Sequence, residues 1–218
     1  MEQQDPVVDL SFQFRGSSVP ADHGFLLYSA VSRCLPWLHG DESVGIHPIH
    51  GQLIGQRQLA LSQLSRIVLR LPASKIREAI RLAGQRLDLG GAALVVGVPT
   101  VRPLLPHPAL LSRLVVIRSF TETEPFLGAI QRQLAQLGIA GSPSFVPRIR
   151  ERPLEELAGG REVVVRRTVR IRDKEVVGFA VRVDDLEPRD SLVLQSVGLG
   201  GRRRFGCGIF LRTRGPTE

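Results

Sequence analysis

The strongest constraint on the fold is an order of elements that occurs twice, on either side of Pro99–Pro108, a stretch with four prolines in ten residues. In the first half, Val8, Leu10, Phe12 and Phe14 alternate with Asp9, Ser11 and Gln13, the period of a half-buried strand. Asp22 stands where it can cap a helix carrying Phe25, Leu26, Tyr28, Val31 and Leu35, and Pro36 limits that helix. Val44–Ile49 and Ser65–Leu71 read as strands, Ser74–Ala83 as a second helix stopped by Gly84, and Leu87–Val98 as a closing strand or hairpin. The second half gives a strand at Leu114–Phe120, a helix at Thr123–Leu137, strands at Glu162–Ile171 and Glu175–Val183, a short helix at Pro188–Val197 and a last strand at Gly208–Arg212. This order, β-α-β-β-α-β, is the split-βαβ unit. The expected fold class is α+β, with two tandem ferredoxin-like, RRM-like domains over 1–100 and 114–218 joined by a proline linker over 101–113. At 218 residues, two small cores of this kind can be buried.

Charge divides unevenly between these halves. Residues 1–100 hold 9 Lys or Arg against 8 Asp or Glu, whereas residues 101–218 hold 20 against 13. An arginine-rich composition, with Lys75 and Lys174 as the only lysines, accounts for the choice of cation but not for this asymmetry. A polyanionic partner for the second half follows. Cys34 and Cys207 are the only cysteines, which excludes a disulfide framework or a cysteine zinc site and fits a reducing cytoplasm. No apolar run reaches 18 residues, so neither membrane insertion nor secretion is expected.

Two motifs concentrate the positive charge. In Val197–Gly208, Gly198, Gly200, Gly201, Gly206 and Gly208 surround Arg202, Arg203, Arg204 and Phe205. Glycines allow positive φ and close backbone approach, so successive N–H groups could face a phosphate that the arginines neutralise. The run lacks the GK[ST] ending of a P-loop and precedes a strand rather than a helix, which excludes a dinucleotide fingerprint. Glycines before a strand are often only a tight turn; three arginines inside this one favour RNA binding. The second motif is Arg166-Arg167-Thr168-Val169-Arg170-Ile171-Arg172, in which Arg166, Thr168, Arg170 and Arg172 would share one face of a strand. That suits the phosphates of structured RNA, although a charge run is commonly just a solvated face.

Histidines gather in the first half, at 23, 39, 47 and 50, with His107 beyond. RNA is cut without metal when a base removes the ribose 2′-OH proton and an acid protonates the leaving 5′-oxygen, and imidazole suits both roles. His23 follows the helix cap and reads as structural. His39 ends the first helix, and His47 and His50 flank Pro48. No HExxH occurs and few carboxylates stand nearby, so neither a metal nor any other cofactor is expected.

Val19–Gly24, Gly45–Ile49, Ser112–Val115, Arg167–Arg170, Val176–Phe179 and Gly198–Gly208 together resemble the CRISPR-associated repeat endoribonucleases, the sixth Cas family, in its MYXAN-type branch. These pieces span nearly the whole chain. The resemblance implies two ferredoxin-like RAMP domains, a CRISPR repeat RNA hairpin as partner, and cleavage without metal by 2′-OH attack to give a 2′,3′-cyclic phosphate. It places a catalytic histidine after the first helix, at His39, and a histidine or tyrosine within that helix, where this chain has Tyr28 and Ser32. The lysine of some relatives has no counterpart, and His47 is the nearest substitute. Three alternatives are weighed: a non-catalytic RNA-binding subunit working with other Cas proteins of an effector complex, an unrelated structured-RNA binder, and last a metal-dependent nuclease, disfavoured because no cluster of Asp and Glu stands at strand ends to hold two metals.

Overall fold

The computed structural model describes residues 5–146, 166–171 and 174–213. Its first half begins with β1 (Val7–Arg15), β2 (Ser18–Pro20) and α1 (Gly24–Cys34), followed by β3 (Gly45–Ile46), β4 (Gln52–Ile54), β5 (Gln58–Ala60) and β6 (Ile67–Pro72). It closes with α2 (Ile76–Ala79), β7 (Arg86–Leu89) and β8 (Ala92–Pro103). The second half holds β9 (Leu110–Val115), α3 (Thr123–Gln136), β10 (Ser142–Phe145), β11 (Arg167–Ile171), β12 (Lys174–Asp184), α4 (Pro188–Val197) and β13 (Leu211–Arg212).

The two main sheets run in the orders β3-β6-β1-β8-β7 and β10-β12-β9-β13. In each, the third strand of the β-α-β-β-α-β unit lies between the second and the first, and the fourth lies outside the first. Two ferredoxin-like units in tandem are what the chain forms, as its element order required. Each sheet buries one face under its own helices. Leu10 and Phe12 of β1 meet Leu27 and Val31 of α1 in the first core, while Phe126 and Ile130 of α3 meet Phe179 and Val181 of β12 in the second. A third, smaller cluster of Val116, Val169, Ile171 and Cys207, with Phe25 packed against it, joins α1 to the second half.

Several elements differ from the expectation. The stretch 101–113 is not a free connection, because β8 runs through Pro99 to Pro103 against β1. Prolines are tolerated there because β7 covers only Ala92–Val95, leaving the rest of β8 an edge strand with no second ladder to serve. The first strand of the second half is Leu110–Val115 rather than Leu114–Phe120, since Ser119 takes a φ of 69° and the chain turns back through an Ile117–Phe120 bridge. The expected strand Val44–Ile49 shrinks to Gly45–Ile46 where Pro48 offers no N–H. Ser74–Ala83 alternates 3-10 and α turns around Ile76–Ala79, and the last strand is only Leu211–Arg212. Asp22 does not cap α1; it accepts the backbone N–H of Arg170 at 2.8 Å, across to the second half. Arg172 and the early part of the expected strand from Glu162 lie outside the described residues.

Candidate functional site

The glycine loop departs from α4 at Gly198 and threads between the halves. Gly198, Gly200, Arg202, Gly206 and Gly208 all have left-handed φ, between 65° and 85°. Most of its N–H groups face the protein: Gly200 donates to Gln133, Gly201 to the carbonyl of Val116, Gly208 to that of Leu114, and Leu199 to that of Gly208. Phe205, Gly206 and Cys207 donate back to carbonyls of Arg202 and Arg203. A row of N–H groups turned toward a phosphate was expected, and the loop does not offer it at these positions. Its glycines serve close packing instead. A Cβ at Gly208 would stand 2.1 Å from the Leu199 carbonyl oxygen, and one at Gly24 of α1 would stand 2.5 Å from that of Phe205.

The three arginines part company. Arg202 sits exposed in the left-handed region. Arg203 turns inward and donates to the carbonyls of Ser196, at 2.7 Å, and Ser43, at 3.4 Å, tying the loop to both halves. Burial, with Arg70 nearby, brings its pKa down to about 10. Arg204 swings the other way, its Cζ 5.6 Å from the ring centre of Tyr28 and 5.9 Å from that of Phe205.

Tyr28 and His39 meet at this spot. The hydroxyl of Tyr28, from α1, lies 3.2 Å from Nδ1 of His39, which follows a short 3-10 turn at Pro36–Leu38. His39 is exposed, while the Tyr28 ring is buried edge-on against Phe205 at 5.0 Å. The structure therefore brings Tyr28, His39, Arg204 and Phe205 together from two halves of the chain.

His47 belongs to a different group. It is buried, with Nε2 3.3 Å from Asp9 Oδ1. Asp9 also accepts two hydrogen bonds from Arg70, which donates onward to the carbonyls of Gln195 and Phe210 in the second half. Burial lowers the His47 pKa against the pull of Asp9. Burial alone would raise the Asp9 carboxyl, but Arg70 and His47 outweigh it and hold it well below the usual carboxylate range. The expectation that His47 shares a groove with His39 is corrected here: Gly45–Ile46 pairs with β6, and that pairing carries His47 to Asp9 and Arg70. His23 is structural as read. Its Nε2 accepts the N–H of Ile49 at 2.8 Å, its Nδ1 lies 2.9 Å from the Pro20 carbonyl, and burial lowers its pKa.

A cleft of about 530 Å³ opens between the halves beside Phe205 and Gly206, and its lining includes Arg57, Arg113, Arg166 and Arg167. A second hollow of about 420 Å³ lies across Phe205, lined by Arg202, Arg203 and Arg204 together with Asp41 and Glu42. Thr168 and Arg170 are exposed while Val169 and Ile171 are buried, which is the alternation anticipated for this strand. Arg166 is ion-paired with Glu122. Among the described residues no group of three or more His, Cys, Asp or Glu is arranged to hold a metal ion, and no helix is long and apolar enough to cross a membrane.

The family model described as Cas6 CRISPR matches residues 8–215. The chain belongs to the Cas6 family. The CRISPR-associated endonuclease Cas6 of Myxococcus xanthus (strain DK1622) is 36% identical over 204 residues, covering 94% of this chain and 80% of that protein. Two solved structures carry the same fold at low identity. A Cas6-related protein from Pyrococcus furiosus aligns with a TM-score of 0.64 and 11% identity over 94% of this chain and 98% of that one. A RAMP protein binding different RNA substrates aligns with a TM-score of 0.61 and 10% identity over 94% and 98%.

Of the cleft-lining arginines of this Cas6-family chain, Arg57 was not legible in the sequence and Arg113 stood out only within the Ser112–Val115 resemblance. Arg57 occupies a tight hairpin tip with Gln56, both at positive φ, and Arg113 is a single cation in an apolar strand. Gly55 before the tip was the one local signal, and it marked a turn rather than a cleft.

Proposed function

We propose that this Cas6-family endonuclease binds CRISPR repeat RNA across the inter-half cleft and cuts it at the His39–Tyr28 pair, without metal, leaving a 2′,3′-cyclic phosphate. The observation that carries this reading is the exposed imidazole of His39, oriented by a 3.2 Å hydrogen bond to Tyr28 and flanked by an arginine-bearing loop. With Nδ1–H donating to the tyrosine oxygen, Nε2 of His39 presents a lone pair to the ribose 2′-OH. The base removes that proton as the 2′-oxygen bonds to phosphorus, and the bond from phosphorus to the 5′-oxygen breaks. The tyrosine O–H gives its proton to the departing 5′-oxygen, and the Nδ1–H of the imidazolium restores the tyrosine. Atoms and protons balance with no other reactant. Arg202, Arg57, Arg113 and the exposed face of β11 supply phosphate contacts.

The test is a labelled repeat hairpin incubated with the protein in excess EDTA. Cleavage persists, and it stops without loss of binding when the nucleotide upstream of the cut is 2′-deoxy. Strict dependence on added magnesium overturns the reading.

A further inference from the structure

The pair just described accounts for both protons but leaves one charge unanswered. As the 2′-oxygen adds to phosphorus, a second full negative charge builds on the non-bridging oxygens, and a fixed donor aimed at them lowers the barrier. Neither His39 nor Tyr28 is free to do so, because each is committed to an apical oxygen.

We infer that Arg204 is the cation that stabilises this transition state, a role distinct from the phosphate grip of its neighbour Arg202. The inference rests on the His39–Tyr28 reading and extends it. Its basis is a difference in placement among three arginines that sequence alone makes equivalent. The left-handed backbone at Arg202 leads into a 3-10 turn over Arg203–Phe205, in which successive side chains leave about 120° apart. Arg202 therefore points to solvent and Arg203 to the carbonyls of Ser43 and Ser196. Arg204 is carried over the ring whose hydroxyl binds His39.

Two aromatic faces, Tyr28 and Phe205, hold the guanidinium by cation–π attraction, which fixes its position while leaving its N–H donors open to a ligand. Among the described residues no carboxylate is paired with Arg204, in contrast to Arg70, Arg166 and Arg182. It is half-buried rather than swept by solvent, so little reorganisation is needed as charge develops. Phe205 is itself locked by its contacts with Phe25 and Tyr28. The cation thus comes from the second half and the proton carriers from the first, and the site is complete only when the glycine loop is seated on α1.

The experiment is single-turnover cleavage of the repeat hairpin with protein in excess of its dissociation constant, comparing wild type with Arg204→Met and Arg204→Lys. Methionine keeps an apolar stem against Tyr28 and Phe205 while removing the charge. The expected result is a cleavage rate lower by about 10² to 10³ for Arg204→Met, partly recovered by Arg204→Lys, with RNA affinity changed by less than about 5-fold. A substrate with sulfur replacing one non-bridging oxygen of the scissile phosphate supplies a readout that a purely structural role does not move. Wild type is slowed by one sulfur diastereomer, and Arg204→Met no longer distinguishes the two. An Arg204→Met variant that cleaves at the wild-type rate when saturated, or that keeps the full sulfur discrimination, overturns the inference while leaving His39 and Tyr28 in place. If His39→Ala cleaves normally in EDTA, the underlying site reading fails and takes this inference with it.

Discussion

Exposure combined with the bond to Tyr28 separates His39 from His23 and His47. His23 and His47 are buried and committed to structure, whereas His39 is exposed and bonded at one nitrogen only by Tyr28. His39→Ala should lower the cleavage rate by about 10² or more with hairpin affinity little changed, and Tyr28→Phe should lower it by a similar or smaller factor. If the two pass protons to one another as proposed, the double variant should be little slower than the poorer single variant, which single-turnover rates at saturating protein will check. Near-normal cleavage by His39→Ala would remove the assignment. Residue-scale legibility was uneven for a physical reason. A histidine just past a helix end is visible as a position, and the family resemblance supplied its role. The fate of His47 depended on Asp9 and Arg70, distant in sequence and joined to it only by strand pairing. Similarly, nothing in three successive arginines announces that the middle one turns inward; that follows from the turn and its carbonyl partners.

Among the elements, the glycine loop shows how one motif can serve a purpose its spacing does not reveal. The spacing of Gly198, Gly200, Gly206 and Gly208 was legible as a demand for positive φ and close approach, and both are present. What approaches closely is the protein's own backbone. The loop is a fitted wedge that carries the arginines, and its glycines should divide by what surrounds them. Gly208→Ala would place a Cβ 2.1 Å from a carbonyl oxygen at a φ of 65°, so it should destabilise the fold by about 2 kcal/mol or more and weaken RNA binding with it. Gly201→Ala meets nothing within 4 Å and has no left-handed φ to strain, so its denaturation midpoint should stay near wild type. Equal destabilisation by both substitutions in urea titrations would contradict the wedge. The strands were legible where the sequence alternated apolar with polar residues, as in β1, and least so near prolines. Whether Pro99 and Pro103 end a strand or sit on its edge depends on how far the neighbouring β7 extends, which local composition does not encode.

For the molecule as a whole, the repeated element order accounts for two similar halves but not for how they are fixed to each other. Their registration rests on a buried polar clamp. Arg70 of β6, 1% exposed, holds Asp9 of β1 through two hydrogen bonds and reaches the carbonyls of Gln195 and Phe210 in the second half. The proposed proton carriers, His39 and Tyr28, stand on one half and the arginine loop on the other, so this clamp helps set the distance between them. Arg70→Met should cost about 3–5 kcal/mol at neutral pH, since it leaves the partly buried Asp9 carboxylate beside His47 without its main cation and strips two carbonyls of their donor. The pH dependence gives the sign. In wild type the Asp9 pKa is depressed, so its contribution is full above the ordinary carboxylate value of about 3.9 and is lost as pH falls through the folded value. In the variant the Asp9 carboxyl loses the Arg70 contributions that hold it down and His47 loses a cation that holds its own pKa down, so protonation of either group relieves the unpaired charge as the solution is acidified. The stability gap between wild type and Arg70→Met, measured by urea unfolding from pH 7 downward, should therefore be widest near neutrality and narrow toward pH 4. A gap that stays constant over that range would mean that the clamp acts through packing alone, and that the charge on Asp9 does not help to hold the halves in register.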